Sequence, residues 1–306
     1  MLALIAPGQG AQTPGMLTQW LSDPAAAQLL KGWSGAIDLD LIHLGSSADA
    51  DEIKDTANAQ PLIVAAGLLG ARALASENKF TFIAGHSVGE ITAATLAGVI
   101  SELDAMKLVR ARGIEMAKAA AISPAGMSAV LGGDRATVLQ AIAELGLVAA
   151  NDNGGGQIVA AGDLAALTRL APEGARVRAL AVAGAFHTSF MQPAVEPLRI
   201  LASAISTNDA QCGVISNKDG EVIRDGREIL NRIVAQISNP VRWDLCMNTL
   251  SKCVSGAIEV PPAGTLVGLL KRAVPIVETF ALKTVADLTL AQEFVERHYQ
   301  EESGTE

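Results

Sequence analysis

The chain has 306 residues, more than the roughly 100–200 of an ordinary domain, so one large domain, or a large domain carrying a smaller inserted one, is expected. Half of the residues are hydrophobic and only 3% aromatic, which describes an Ala, Val, Leu and Ile core with helices lying close to a sheet, a composition that suits an α/β protein. A formal charge of −9, from 23 Lys+Arg against 32 Asp+Glu, speaks against nucleic-acid and anionic-membrane partners, and three cysteines without CxxC spacing speak against a disulfide framework or zinc site and for a reducing cytoplasm.

In chain order, LALIAP reads as a first buried strand; the N-terminus is apolar for only a few residues, has no basic leader and fails as a signal peptide. A helix is expected over about 59–76; its stretch PLIVAAGLLGARALA carries Arg72 and falls short of the ~20 apolar residues of a membrane span, so it reads as buried. Strand TFIAG, a helix from 88 and another over about 102–120 continue an alternation typical of crossover units on a parallel sheet. From about 125 the rhythm changes. GMSAVLGG, DRATVLQAIAELG, LVAAN, GQIVAAG, DLAALTRLA and RVRALAVAG read as strand, helix, strand, strand, helix, strand, the βαββαβ order of a ferredoxin-like unit. The insertion is entered near Ser123-Pro124 and left near Gly184, giving a large domain over 1–124 and 185–306 and a subdomain over 125–184. Then come a helix from Pro193, a hairpin around NKDGEV turning at Asp219-Gly220, helices over about 226–237 and 241–251, strand AIEV, a helix over 264–272, strand VETFAL and a last helix. The polar tail QEESGTE is expected to fray.

The stretch FIAGHSVGEI sets Ser87 between Gly85 and Gly89, after a strand and before a helix. That is the arrangement of a nucleophile elbow: the glycines give a tight turn clearance, and the hydroxyl projects above a helix N-terminus whose N–H groups favour an oxyanion. A glycine-rich turn with a structural serine is the plainer alternative. His86 adjoins Ser87, but neighbours in a sharp turn point different ways, so the general base should come from elsewhere. His43, in LDLIHLGSS, reads as structural, and His298 lies on the last helix beside the acidic tail. His187, in VAGAFHTSFMQP, follows a strand where the insertion rejoins the main fold, at a junction where clefts form, and is the favoured base over a satisfied loop histidine.

With these residues stand APGQGAQTPGM, AQPLIV, RARGIEMA, ANDNGGGQIVAAG, NPVRWD and GTLVGLLKR, in order over almost the whole chain. Together they resemble the malonyl-CoA:acyl carrier protein transacylases of bacterial fatty acid synthesis. The resemblance implies a hydrolase-like α/β domain with an inserted ferredoxin-like subdomain, and a malonyl group passed from malonyl-CoA to the phosphopantetheine thiol of acyl carrier protein through an ester on Ser87. It also implies His187 as base, the N–H groups of Gln9 and Val88 as oxyanion hole, the main-chain carbonyl of Gln236 as the group that orients the imidazole, and Arg112 as the cation for the malonyl carboxylate. From its helical spacing alone, with Arg110 and Glu115 nearby, Arg112 reads more readily as an ordinary surface helix charge.

Gln60 in AQPLIV and Asn151 in ANDNGG match cleft-lining positions of that family, with a helix N-terminal amide and a turn asparagine as alternatives. Phe186 resembles the aromatic that crowds an α-methyl branch, or is core packing. Lys271 with Arg272, or Arg242, are candidates for a positive patch facing an acidic carrier protein. No metal or other cofactor is expected, no nucleic acid or membrane partner, and a cytoplasmic monomer. Two rivals remain. One is an esterase or thioesterase on the same elbow, with His298 and an acid such as Asp244 in the Ser…Asp…His order; the other is a non-catalytic scaffold that binds carrier domains.

Overall fold

The computed structural model describes residues 1–75 and 79–303. The chain opens with β1 (Leu2–Ala6), α1 (Pro24–Ile37), α2 (Leu41–Ser46) and α3 (Thr56–Leu74). β2 (Phe82–Gly85) leads into α4 (Gly89–Leu96) and α5 (Glu102–Ala120). The middle carries β3 (Ala125–Gly132), α6 (Arg135–Glu144), β4 (Val148–Asp152), β5 (Gln157–Asp163), α7 (Leu164–Arg169) and β6 (Ala175–Ala179). Then follow α8 (Gln192–Ser203), β7 (Gly213–Ile215), β8 (Val222–Ile223), α9 (Gly226–Ala235) and β9 (Val241–Arg242). The chain closes with α10 (Trp243–Cys253), β10 (Gly256–Glu259), α11 (Thr265–Ala273), β11 (Glu278–Ala281) and α12 (Leu288–Ser303).

Aspartates start many of the helices. The side chains of Asp23, Asp40, Asp55, Asp134, Asp163 and Asp225 each accept a main-chain N–H of the first turn of α1, α2, α3, α6, α7 and α9. Such caps supply acceptors to orphan donors and complement the helix dipole, so part of the acidic balance is local structure. The Asp55 cap starts α3 three residues before the expected position, and position 76, the expected end, lies outside the described residues. α1 and α2 are helices that the sequence reading did not anticipate.

Two sheets organise the chain. The larger has the order β11-β10-β1-β2-β7-β8, parallel throughout except for β8 against β7. β1 is buried at all five positions, as a central strand covered on both faces must be. Its alternation is visible in the core: Leu2, Leu4 and Ala6 join the cluster with α3 and α4, while Ala3 and Ile5 face Trp243, Leu266 and Leu270 of α10 and α11.

The smaller sheet has the order β6-β3-β5-β4-β9. Its first four strands are antiparallel and, with α6 and α7, give the βαββαβ succession around a separate cluster that includes Val130, Val138, Ile142 and Ile158. The fifth strand corrects the sequence reading. Val241 and Arg242, expected to open a helix, pair in parallel with Asn151 and Asp152, and α10 starts only at Trp243. At the C-terminus, α12 runs to Ser303, so the first part of the tail expected to fray continues the helix, and residues 304–306 lie outside the described ones.

The two glycines flanking Ser87 are sterically required. A Cβ on Gly85 would sit on the carbonyl of Gly89, and one on Gly89 would sit on the carbonyl of Ala6, where neither neighbour can move without shifting backbone. Gly89→Ala is therefore expected to destabilise the protein by at least about 3 kcal/mol. Gly32→Ala on α1, where a Cβ meets nothing within 4 Å, should instead stabilise it by about 0.5–1 kcal/mol. Urea unfolding midpoints of the two variants check both signs.

Candidate active site

Ser87 lies between the end of β2 and the start of α4 with φ of 53°, in the left-handed region that a non-glycine residue enters only when its surroundings impose it. Asn217 is the clamp. Its Oδ1 accepts the main-chain N–H of Ser87 at 2.8 Å while its Nδ2 donates to the carbonyl of Gly85 at 2.7 Å, so one amide spans the turn. The main-chain N–H of Asn217 in turn donates to Glu90 Oε1 at 2.6 Å.

His187 arrives from a position 100 residues along the chain and places Nε2 2.8 Å from Ser87 Oγ. It too is left-handed, with φ of 61°, and its main-chain N–H donates to the carbonyl of Ile237 at 3.1 Å. On the far side of the ring, Nδ1 lies 2.8 Å from the main-chain oxygen of Gln236. A carbonyl only accepts, so Nδ1 carries the proton and Nε2 presents its lone pair to the serine hydroxyl. Burial, followed by the nearby Arg112 guanidinium, pushes the imidazole pKa down to about 3 against the opposing hydrogen bond to Gln236.

The other histidines lie elsewhere. His86 Nε2 meets Asn153 Oδ1 at 2.9 Å, and its ring stands edge-on to Trp243. Burial lowers its pKa, and the Asn153 contact opposes the shift. His43 contacts Ser47 and Glu52 on an exposed face. His298, expected beside a loose tail, is instead buried and held by Ser255 and Glu278 at the β10–β11 edge, away from Ser87. Asp244 is occupied by Arg242. The residues on which an esterase triad would draw are therefore not assembled on this elbow.

Arg112 is 1% exposed, which corrects its reading as a surface helix charge. From α5 its Nη1 donates to Gln60 Oε1 at 2.7 Å and its Nη2 to Gln236 Oε1 at 3.1 Å, with Ser87 Oγ 3.4 Å from Nη2. Its Nε has no partner. Burial lowers the guanidinium pKa to about 10, opposed by Glu90, so it stays charged at neutral pH. Among the described residues no carboxylate forms an ion pair with it. Glu90 reaches it only through Gln236, whose Nε2 donates to Glu90 Oε2 at 2.6 Å. Burial raises Glu90 to about 7, against the pull of the Asn217 N–H and then of Arg112.

A cleft of about 350 Å³ opens above these groups, lined by Gln9, Gln60, Ser87, Asn151, Phe186 and His187 among others, between strands of the smaller sheet and the loops that follow β1 and β2. Gln60 is buried, with its amide shared between Arg112 and Met116 Sδ. Gln9 Nε2 donates to Thr56 Oγ1 at 3.3 Å. Val88 is buried at the N-terminal end of α4, and Phe186 is buried beside His187. Asn151 is buried on β4 at the cleft wall, but it is Asn153, two residues on, that engages His86.

The sequence reading missed Glu90, Asn217, Asn153 and the side-chain role of Gln236. Glu90 alone had a local signal, being the one charge in the otherwise uncharged GEITAATL of α4. Among the described residues no group of three His, Cys, Asp or Glu is placed to hold a metal ion, and no helix is long and apolar enough to cross a membrane.

Known proteins resemble this chain over nearly its whole length. The curated malonyl CoA-acyl carrier protein transacylase of Mycobacterium tuberculosis strain H37Rv is 52% identical over 94% of this chain and 98% of its own length, and that of Escherichia coli K12 is 32% identical over 95% and 98%. The crystal structure of MCAT from Mycobacterium tuberculosis superposes with a TM-score of 0.92 at 51% identity, covering 95% of this chain and 99% of that one. A malonyl-transacylase solved in complex with its type II PKS acyl-carrier protein superposes with a TM-score of 0.89 at 30% identity, covering 96% and 99%. With the acyl transferase domain signature running over residues 4–293, the chain belongs to the acyl transferase family, among the malonyl CoA-acyl carrier protein transacylases.

Proposed function

We propose that this protein moves a malonyl group from malonyl-CoA to the phosphopantetheine thiol of acyl carrier protein, with Ser87 as the acylated nucleophile and His187 as the proton acceptor. The observation that carries the reading is the unbroken chain Ser87 Oγ, His187 Nε2, His187 Nδ1, Gln236 O, each contact 2.8 Å, set beside a buried cation that lacks a counter-ion. Residues 1–124 and 185–306 are the catalytic domain and 125–184 the subdomain that covers the cleft.

As Ser87 Oγ attacks the thioester carbonyl, its proton passes to His187 Nε2. The tetrahedral oxyanion is received by the main-chain N–H groups of Val88 and Gln9. The intermediate then breaks its C–S bond, CoA leaves as the thiol with the proton from His187, and a malonyl ester remains on Ser87. In the second half the carrier thiol gives its proton to His187, attacks the ester, and releases the Ser87 hydroxyl. Thioester, ester and thioester follow one another with no change of oxidation state, so the exchange itself calls for no redox cofactor. A thiol leaves more readily than an amine or alkoxide, which suits an imidazole held by a carbonyl rather than a carboxylate.

Arg112 supplies the acyl selectivity. A buried guanidinium with an unpartnered Nε and no paired carboxylate is completed by the free carboxylate of malonate, through a planar fork that an acetyl group cannot use. Gln60 holds the other side of the fork, while Phe186 and Asn151 shape the acyl end of the cleft. Lys271 and Arg272 offer positive charge to an acidic carrier protein, whereas Arg242 is neutralised by its bidentate pair with Asp244, and the setting is the cytoplasm.

Four outcomes are expected. Intact mass of the protein mixed with malonyl-CoA should show one malonyl adduct, lost in Ser87→Ala and discharged by holo acyl carrier protein; no adduct would leave only a scaffold. Arg112→Ala should lower malonyl loading by at least about a hundredfold while acetyl loading stays level or improves, and equal losses would make the arginine structural. His298→Ala should leave loading unchanged, and a loss would revive the esterase-type arrangement. Because the folded-state pKa of His187 lies near 3, below its ordinary value, the base form persists as the pH falls through 6.5. Histidine NMR should therefore show this ring neutral down to about pH 4; a midpoint near 6.5 would contradict the burial argument.

A further inference from the structure

The amide of Gln236 lies between two buried charges. Its Nε2 donates to Glu90 Oε2 at 2.6 Å and to Asn217 Oδ1 at 3.0 Å, and its Oε1 accepts from Arg112 Nη2 at 3.1 Å. A carboxamide has nearly the same shape in its two flipped states, so packing alone does not choose between them. The anion and the cation choose, together with two neutral acceptors of Nε2, Asn217 Oδ1 and the Ser87 main-chain carbonyl at 3.3 Å. Flipped, the amide would set its oxygen against the carboxylate and its nitrogen against the guanidinium, and both contacts would repel.

Glu90 is fixed at its other oxygen by the main-chain N–H of Asn217, a donor that cannot turn away. It is buried at 4% exposure and is not among the residues that line the cleft. Burial raises its pKa to about 7, and above that pH a carboxylate is kept there at a desolvation cost that a glutamine of the same volume would avoid. The charge therefore needs a reason beyond filling space.

We infer that Glu90 is a positioning residue for the acyl-carboxylate pocket: acting through the Gln236 amide, it keeps an oxygen turned to Arg112 and so fixes the guanidinium where a dicarboxylic acyl group docks. This rests on the assignment of Arg112 to the malonyl carboxylate. In Glu90→Gln the new side chain keeps its oxygen on the Asn217 N–H, so its NH2 group meets Gln236 Nε2. The Gln236 amide is then pushed off the new side chain while Asn217 Oδ1 and the Ser87 carbonyl still hold its nitrogen, and its oxygen is no longer kept in place on Arg112. The main-chain carbonyl of Gln236 does not move with it, so the Ser87–His187 pair stays aligned.

The test is loading of Ser87 from malonyl-CoA and from acetyl-CoA in the full-length protein at about pH 8.5, where Glu90 is ionised, with Glu90→Gln, Glu90→Asp and Arg112→Ala compared. Glu90→Gln is expected to lower malonyl kcat/KM by about ten- to a hundredfold, mainly through KM, with acetyl loading within about threefold of wild type. Glu90→Asp, one methylene shorter but still charged, should keep a malonyl-to-acetyl ratio closer to wild type than Glu90→Gln does. A purely structural role would rank the isosteric glutamine first, so the order of the two ratios decides the matter even if one variant folds poorly. Equal losses for both acyl groups, an unchanged ratio in Glu90→Gln, or the reverse ranking would overturn the inference. If Arg112→Ala is itself unselective, the reading of Arg112 falls and takes this inference with it; if Arg112→Ala is selective and Glu90→Gln is not, only the role of Glu90 falls.

Discussion

The structure depends on one contact, the 2.8 Å approach of His187 Nε2 to Ser87 Oγ, made by two residues that are both in the left-handed region. Each such backbone costs on the order of 1 kcal/mol or more, and neither would persist in an isolated loop. Both are over-determined by neighbours. The Ser87 turn is spanned by the Asn217 amide and squeezed by glycines that no other residue could replace, and the His187 turn is tied by its N–H to Ile237 and by its ring to Gln236. The parallel sheet supplies the rest, because β1 and β2 place the elbow at their carboxyl ends, where crossover connections leave room for a ligand.

The charges around that contact are arranged so that the base remains neutral while a cation sits beside it. A carboxylate against His187 Nδ1 would raise the imidazole pKa and would also compete for Arg112 with the acyl carboxylate proposed to bind there. A main-chain carbonyl does neither. The one buried anion nearby, Glu90, is kept an amide's length from the guanidinium, close enough to offset its burial and too far to occupy its fork. Gln236 resolves both requirements, orienting the imidazole with its backbone and separating the two charges with its side chain.

Much of this was legible in the sequence. The alternation of apolar runs and helical stretches announced the parallel sheet, the change of rhythm after Pro124 announced the βαββαβ unit, and strand–Gly–x–Ser–x–Gly–helix announced the elbow. What escaped did so for physical reasons. α1 carried local signals in the Asp23 cap and Pro24 at its first turn, and these were not weighed. β9 has only two residues, too short for any period to register. Asn217, Asn153 and the amide of Gln236 act across separations of 130, 67 and 124 residues on Ser87, His86 and Arg112, and nothing in their own neighbourhoods marks them as other than turn or helix-end residues.

The short strand also explains why the smaller sheet is where it is. Pairing of Val241 and Arg242 with Asn151 and Asp152 joins the segment just after Gln236 to β4, the strand that ends beside Asn153. The carbonyl that orients His187 and the wall that holds His86 are thus registered to each other by backbone hydrogen bonds rather than by side-chain packing. A rotation of the smaller sheet that opened the cleft would have to break that pairing or carry Gln236 with it. In the second case His187, whose N–H and ring are both tied to that segment, would be drawn with it away from Ser87, so an open cleft and the Ser87–His187 contact could not coexist.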